Sequence, residues 1–129
     1  MLGVELSSVE SGRPAGIGEG TEMTEHQEAV AADLAAMSEF ARDGIVSKSV
    51  VENDHHKIIL FALAAGQELS EHTASVPASI HVVSGAGTVE LAGQEHEARP
   101  GMLYYMPAEL RHAVRAREDL VFLLTMFRT

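Results

Sequence analysis

Seven histidines are the side chains of this chain best suited to chemistry, at positions 26, 55, 56, 72, 81, 96 and 112. A neutral imidazole binds transition metals, and imidazole exchanges protons near neutral pH. The chain has no cysteine, which excludes a disulfide framework, a cysteine nucleophile and a thiolate metal site. Any metal would therefore be held by histidine and oxygen ligands.

The sequence around each histidine separates them into two groups. Four lie in a first helical turn, a polar turn or a polar edge segment, where exposure to solvent explains them: His26, His55, His56 and His96. The other three, His72, His81 and His112, lie within or beside apolar and β-branched runs. In a core they could simply be neutral imidazoles hydrogen-bonded to each other, to backbone or to water. Facing a cavity, they could orient a polar ligand or exchange protons with it.

Two tyrosines and a methionine close to His112 complete the candidate pocket: Tyr104, Tyr105 and Met106. Successive side chains of a strand point to opposite faces, so one tyrosine faces inward, and the pattern leaves open which one. Met106, with Met102 and Met126, indicates a soft apolar lining, although plain core packing is the better explanation for any one of them.

Short apolar and β-branched runs, separated by turn residues, predict an all-β fold from residue 45 onward. No long helix interrupts them, which argues against a parallel α/β sheet and favours an antiparallel barrel of about eight strands. The predicted strands cover residues 45–52, 57–65, 79–84, 88–92, 102–106, 112–117 and 120–127. The last of them is apolar on both faces, so its outer face needs a cover, either the N-terminal helix or a second subunit.

The first third of the chain differs in composition. Residues 1–22 carry five glycines and no sustained periodicity, which predicts a flexible tail. Thr24 and Gln27 fit a capping box, and Val30, Leu34 and Met37 recur at helical spacing. A helix of about residues 24–42 is therefore predicted within the segment 23–44. This helix is expected to cover an open end of the barrel. The predicted domains are thus 1–22, 23–44 and a barrel over 45–129.

The formal net charge of −10 limits the partners, because an anionic nucleic acid or membrane would be repelled. Residues 1–44 carry nine acidic and two basic side chains, so most of the excess belongs to the tail and helix rather than to the barrel. The first residues contain neither a basic segment nor a long apolar stretch, so the expected location is the cytoplasm.

Two spaced motifs resemble those of the cupin superfamily. Gly66 followed by His72 and by the segment 82–87 is similar to the first cupin motif, and Gly101, Pro107 and His112 are similar to the second. The resemblance covers residues 50–127 and is to small single-domain bacterial cupins. It implies a jelly-roll β-barrel with an interior pocket, commonly a homodimer, while cupin functions range from enzymes to regulators.

The departures from the motifs concern the metal site that the family commonly carries. His72 and His112 match its first and last ligands, but Ala74 stands at the second histidine position and Ala78 at the carboxylate position. His81 is the tentative third ligand, although alternation with Ile80 and Val82 predicts that it points the other way. Glu68 and Glu109 could serve instead. The glycine after Pro107 is replaced by Glu109, and the terminal asparagine of the motif by Ala116.

Two hypotheses remain. In the first, the barrel binds a small organic ligand through His72 and His112 without requiring a metal. In the second, His72, His112 and an unorthodox ligand such as His81 hold Mn, Fe, Ni or Zn in an oxygenase or isomerase. The alanines at 74 and 78 favour the first hypothesis, and a homodimer is expected in either case.

Overall fold

The computed structural model describes residues 28–128, which form one short helix followed by nine strands. The elements are α1 Leu34–Met37, β1 Ile45–Glu52, β2 His56–Leu63, β3 Glu68–His72, β4 Ala78–Ser84, β5 Gly87–Leu91, β6 Gln94–Ala98, β7 Leu103–Met106, β8 His112–Ala116 and β9 Leu120–Phe127. No helix within residues 28–128 is long and apolar enough to cross a membrane.

The strands form two antiparallel sheets. The large sheet has the order β1-β2-β9-β4-β7, and the small sheet has the order β3-β8-β5-β6. Strands that follow one another in sequence therefore often belong to opposite sheets, as in a jelly roll. The predicted fold class, an antiparallel jelly-roll barrel preceded by an N-terminal helix, is confirmed.

The sequence did not predict two of the strands, β3 and β6, and both are polar. In β3, only Leu69 is an apolar residue, and in β6 only Ala98 is. Strands at this position in a small barrel expose one face to solvent, and their charged residues lie on that face. Their apolar content is therefore too low for a pattern search to find them.

The helix is much shorter than predicted. Within the described residues it covers only Leu34–Met37, and its N-terminal cap is Asp33, whose side chain accepts a hydrogen bond from the Ala36 amide at 3.1 Å. Residues 28–33 and 38–41 are not helical. The proposed cap at Thr24 and the predicted tail of residues 1–22 lie outside the described residues.

The core divides into an inner and an outer part. The inner cluster fills the space between the sheets and includes Phe122, which stacks on Phe61 with ring centroids 5.2 Å apart. A second cluster lies on the outer face of the large sheet, where Leu34 and Met37 pack against Leu60 and Val121. The helix therefore covers the outer face of β2 and β9 rather than an open end, which explains why β9 is apolar on both faces.

Hydrogen bonds between turns show which turns share an end of the barrel. The Glu109 amide donates to the Ala74 carbonyl at 2.7 Å, and the Ala92 amide donates to the Arg111 carbonyl at 2.8 Å. The Phe127 and Arg128 amides, at the end of β9, donate to the carbonyls of Pro77 and His55. Four turns therefore lie together next to the end of β9: 53–55, 73–77, 92–93 and 107–111. Because β3 ends at His72 and β8 begins at His112, we call this the histidine end.

Candidate ligand site at the histidine end of the barrel

His72 and His112 are neighbours across the small sheet. They are paired in the β3–β8 register, and their ring centroids are 4.3 Å apart with an interplanar angle of 61°. His112 is almost completely buried, with 5% exposure, whereas His72 is exposed. The structure therefore brings together the two histidines that sequence motifs had singled out, one at the mouth of the barrel and one inside it.

Each ring is held by its own segment of backbone. His72 Nδ1 lies 2.7 Å from the Ser70 carbonyl oxygen, and His112 Nδ1 lies 2.9 Å from the Leu110 carbonyl oxygen. A carbonyl oxygen only accepts, so in both rings Nδ1 carries the proton and donates it. In the neutral ring Nε2 then holds a lone pair. Within residues 28–128, neither Nε2 has a hydrogen-bond partner, so the site presents two fixed acceptors.

Burial keeps His112 neutral. Desolvation lowers the pKa of His112 below its usual value of 6.5, the hydrogen bond to Leu110 opposes this, and the neighbouring His72 lowers it further. A neutral imidazole accepts a hydrogen bond from a ligand hydroxyl or N–H group. The buried half of the pair is thus in the form that can bind such a group at neutral pH.

This lowered pKa predicts a loss of stability on acidification. Between the folded pKa and 6.5, the unfolded chain binds a proton at His112 that the folded chain does not, so the free energy of unfolding falls as pH drops through that window. Urea unfolding between about pH 7.5 and 5.5 measures this slope. In His112→Asn the slope should be shallower, and in His81→Asn, on the exposed face, it should be retained. An unchanged slope in His112→Asn would contradict the assignment.

Two rows of side chains face each other across the interior at this end. The strand registers define an inner row of the small sheet, made of His72, His112, Leu91 and Gln94. They also define an inner row of the large sheet, made of Lys57, Met126, Ala78 and Met106. Met106 and Ala78 belong to the inner cluster, and Met126 and Leu91 pack against it. Imidazoles therefore face a wall of thioethers and small apolar groups.

The two tyrosines have different positions. Tyr104 points inward, belongs to the inner cluster, and donates its hydroxyl hydrogen to the Glu97 carbonyl. Burial raises the pKa of Tyr104, the charge of Arg99 lowers it by less, and the charge of Glu97 raises it further. Tyr105 points to the outer face and is 59% exposed, because adjacent residues of a strand face opposite ways. This corrects the prediction that placed Tyr105 in the pocket, whereas Met106 lies inside as expected.

His81 does not join the other two histidines. Ile80 and Val82 are buried in the inner cluster, so His81 lies on the outer face of β4 and is exposed. The tentative assignment of His81 as a metal ligand is therefore corrected, and the orientation expected from strand alternation is confirmed. No bulge reverses the strand before this residue, since the register shift in β4 comes later, between Val82 and Ser84.

His96 is an interior residue that the sequence interpretation placed in solvent. It pairs with the fully buried Val89, shares the face of Ala98, and its ring lies 6.2 Å from that of Tyr104. The signal that could have found it is the alternation of Gln94, His96 and Ala98 with two glutamates. His96 lies one row deeper than the histidine pair, so it lines the interior beyond the site.

The residues at this end do not fit the four-ligand metal centre that the motifs imply. Ala78 is buried among the inner residues, so no donor occupies the position of the usual carboxylate. Glu68 is paired with Arg115 on the outer side of the small sheet, and Glu109 is exposed. Among residues 28–128, no group of three or more His, Cys, Asp or Glu side chains could hold a metal ion.

Comparisons with known proteins agree with this architecture. Residues 59–126, more than half of the chain, match the family described as a cupin domain. A solved RmlC-like cupin protein from Desulfovibrio desulfuricans is 30% identical, with a TM-score of 0.61 over 69% of this chain and 90% of that one. The structure of KdgF from a Halomonas species is 26% identical, with a TM-score of 0.61 over 70% of this chain and 86% of that one.

A curated relative gives a shorter match. L-ectoine synthase from Sphingopyxis alaskensis is 36% identical over 61 residues, which are 46% of this chain and 44% of that protein. This chain spans less than half of that protein's length. The family match, the nine-stranded jelly roll and the two motif histidines lead to one conclusion: the chain belongs to the cupin domain family.

Proposed function

We propose that this cupin binds a small organic molecule at the histidine end of its barrel, with His72 and His112 as the polar contacts and no metal required. The observation that carries the proposal is the bonding of both Nδ1 atoms to backbone carbonyls, at 2.7 and 2.9 Å. It fixes the tautomer of each ring and leaves two Nε2 acceptors for a ligand.

The surroundings of the pair define what the site would bind. Met106, Met126 and Leu91 offer apolar and polarizable contacts, and thioethers pack well against ring edges. A ligand with an apolar body and a hydroxyl or N–H donor would pack against the walls and donate a hydrogen bond to the Nε2 of an imidazole. Sites of this kind, mostly apolar with a few convergent polar groups, are typical of small-molecule binding.

Binding of simple fragments tests this proposal. The set is phenol, para-hydroxybenzamide, para-hydroxybenzoate and benzoate, observed by NMR through the Met106 and Met126 methyl signals and the His72 and His112 ring signals. The fragments with a hydroxyl group should shift these signals at millimolar concentration. If none of the four fragments moves any of these signals, the proposal is wrong.

The alternative is a metal-dependent cupin enzyme of the oxygenase or isomerase type. One observation favours it, since hydrogen bonds from Nδ1 to backbone also orient the imidazole ligands of metals. However, among residues 28–128 no group of three or more His, Cys, Asp or Glu side chains could hold a metal ion, and His81 lies on the other face. The ectoine synthase relative is an enzyme by name, which also favours this alternative.

We further propose that two copies associate through the outer face of β7. Leu103 and Tyr105 are 65% and 59% exposed there, and β7 is an edge strand, so a second copy could pair with it symmetrically. Sedimentation should show a dimer for the native protein and a monomer for Leu103→Glu with Tyr105→Glu. His81→Glu, on the neighbouring strand, should weaken the dimer less. A native protein that sediments as a monomer would contradict this proposal.

A further inference from the structure

A lysine lies at the histidine end, near the start of β2. Lys57 is paired with Met126 in the β2–β9 register and lies on the same face of β2 as Phe61, which packs against the inner cluster. It is half-buried, and it forms no ion pair with any residue in the described range 28–128. An ammonium group therefore lies in the inner row of the large sheet, across the mouth from the two imidazoles.

The carboxylate closest to Lys57 in the register is already engaged. Glu52 is the partner of Lys57 on β1, but Glu52 Oε2 lies 3.1 Å from Arg128 Nη2. Arg128 also donates from Nη1 to the Asn53 carbonyl at 2.8 Å, which holds its guanidinium in place. The Glu52–Arg128 pair is neutral as a unit, so the charge of Lys57 is not compensated.

The other charges at this mouth also leave Lys57 uncompensated. Glu71 and Arg111, next in sequence to the two histidines, form an exposed pair with 4.0 Å between Oε2 and Nε. Glu109 is exposed on the turn that follows β7. Glu52, which the register places in the same row on β1, is exposed and is paired with Arg128, so Lys57 is the one charged residue of the two inner rows without an ion pair among residues 28–128. An unpaired ammonium group at this position favours an anion and repels a metal cation.

We propose that Lys57 binds a carboxylate of the ligand, so that the site takes a small organic acid that also carries a hydroxyl or N–H donor for His72 and His112. This inference rests on the proposed function and narrows it to a ligand class. The acid group would lie near β2 at the mouth, and the donor group near the imidazoles. A part-buried, charge-assisted hydrogen bond contributes about 1.5–3 kcal/mol, enough for a preference of tenfold or more over a neutral analogue.

The chain offers a matched control for this residue. Lys48 and Lys57 are its two lysines. Lys48 is paired on β1 with Leu60, a residue of the outer cluster, and its Nζ lies 2.9 Å from Glu39 Oε1. Lys48→Met removes the same charge from the same protein on the other face of the sheet. Lys57→Met keeps the length of the side chain, and Lys57→Arg keeps its charge.

The test compares para-hydroxybenzoate with para-hydroxybenzamide, which differ in the acid group. In the native protein and in Lys48→Met, the acid should bind at least about tenfold more tightly than the amide. In Lys57→Met the preference for the acid should disappear, and Lys57→Arg should restore most of it. Circular dichroism and thermal unfolding check that each variant is folded.

Two results would overturn the inference: equal binding of acid and amide to the native protein, or an acid preference that survives in Lys57→Met. In both cases the fragments still bind, so the proposed function stands without its ligand class. If neither compound binds the native protein, and phenol also fails to bind, the proposed function itself is wrong and the inference falls with it.

Discussion

Replacing both His72 and His112 by alanine is expected to weaken the binding of phenol and para-hydroxybenzamide by roughly 2- to 10-fold. In the proposed site the hydroxyl group of each fragment donates one hydrogen bond to an Nε2 atom, and the loss of that bond costs about 0.5–1.5 kcal/mol. The Nε2 atoms of both rings lack a partner within residues 28–128, so they have hydrogen-bonding capacity that only a ligand or solvent can use. NMR titration of the Met106 and Met126 methyl signals measures the effect.

A second pair of neighbouring histidines provides the control. His55 lies in the exposed turn between β1 and β2, and His56 is the exposed first residue of β2, with the two ring centroids 6.3 Å apart. The double variant His55→Ala, His56→Ala removes as many imidazoles from the same end of the molecule without touching the inner rows. It should bind both fragments as the native protein does. Equal binding by the two double variants would mean that the imidazoles of the interior do not contact the ligand.

The substitution Gly85→Ala should have the largest effect on stability, lowering the free energy of unfolding by about 4 kcal/mol or more. Gly85 has φ +95°, a conformation that side chains other than glycine rarely adopt. A Cβ atom there would lie 2.0 Å from the Asp119 carbonyl oxygen and 2.8 Å from the Leu120 Cα. Both are backbone atoms, so relieving the contact would separate the β4–β5 turn from the start of β9.

Two other glycines separate the contributions of strain and contact. Gly93 has φ +84° with no atom within 4 Å of a Cβ, so Gly93→Ala should cost only about 1–2 kcal/mol of strain. At Gly87 a Cβ would lie 2.1 Å from the Arg115 carbonyl oxygen without a positive φ, so Gly87→Ala isolates the contact. Urea denaturation of the three variants provides the comparison. A Gly85→Ala variant as stable as Gly93→Ala would show that the two backbone segments move apart easily.

The sequence predicted the fold class and singled out the two histidines that the structure brings together, because both depend on strong local signals. Apolar runs with turn residues between them predicted seven of the nine strands, and the spacing of two motifs pointed to His72 and His112. The polar strands β3 and β6 were not predicted because each buries few apolar side chains. The helix was overestimated because helical spacing of Val30, Leu34 and Met37 does not require helical backbone between them.

Which residues line the site depends on the face of the sheet to which each side chain points. Alternation placed His81 correctly because its neighbours Ile80 and Val82 are unmistakably apolar. It could not choose between Tyr104 and Tyr105, since both are amphipathic and either could have faced inward. Lys57 was not recognised as an interior residue, because a lysine next to apolar residues is ordinary at the start of a strand. Its position in the inner row follows from the register with β9. It forms no ion pair with any residue of the described range 28–128.

Glu109 occupies the position of the motif glycine and takes a backbone conformation that glycine favours. It has φ 69°, in the left-handed region, and its amide donates a hydrogen bond to the Ala74 carbonyl. Ala74 and Ala78 have no side-chain donor, and Ala78 lies in β4 among the inner residues. These two positions therefore differ from the motif in side-chain chemistry.

In the proposed site, the Nε2 atoms of His72 and His112 serve an organic ligand rather than a metal ion. A long-range proton–nitrogen NMR spectrum of the histidine rings, recorded on protein without an affinity tag before and after one equivalent of Zn²⁺, tests it most directly. If the two Nε2 atoms serve an organic ligand, His72 and His112 each carry their proton on Nδ1, and both Nε2 signals stay unchanged when zinc is added. Stoichiometric shifts of both Nε2 signals on addition of zinc would contradict it.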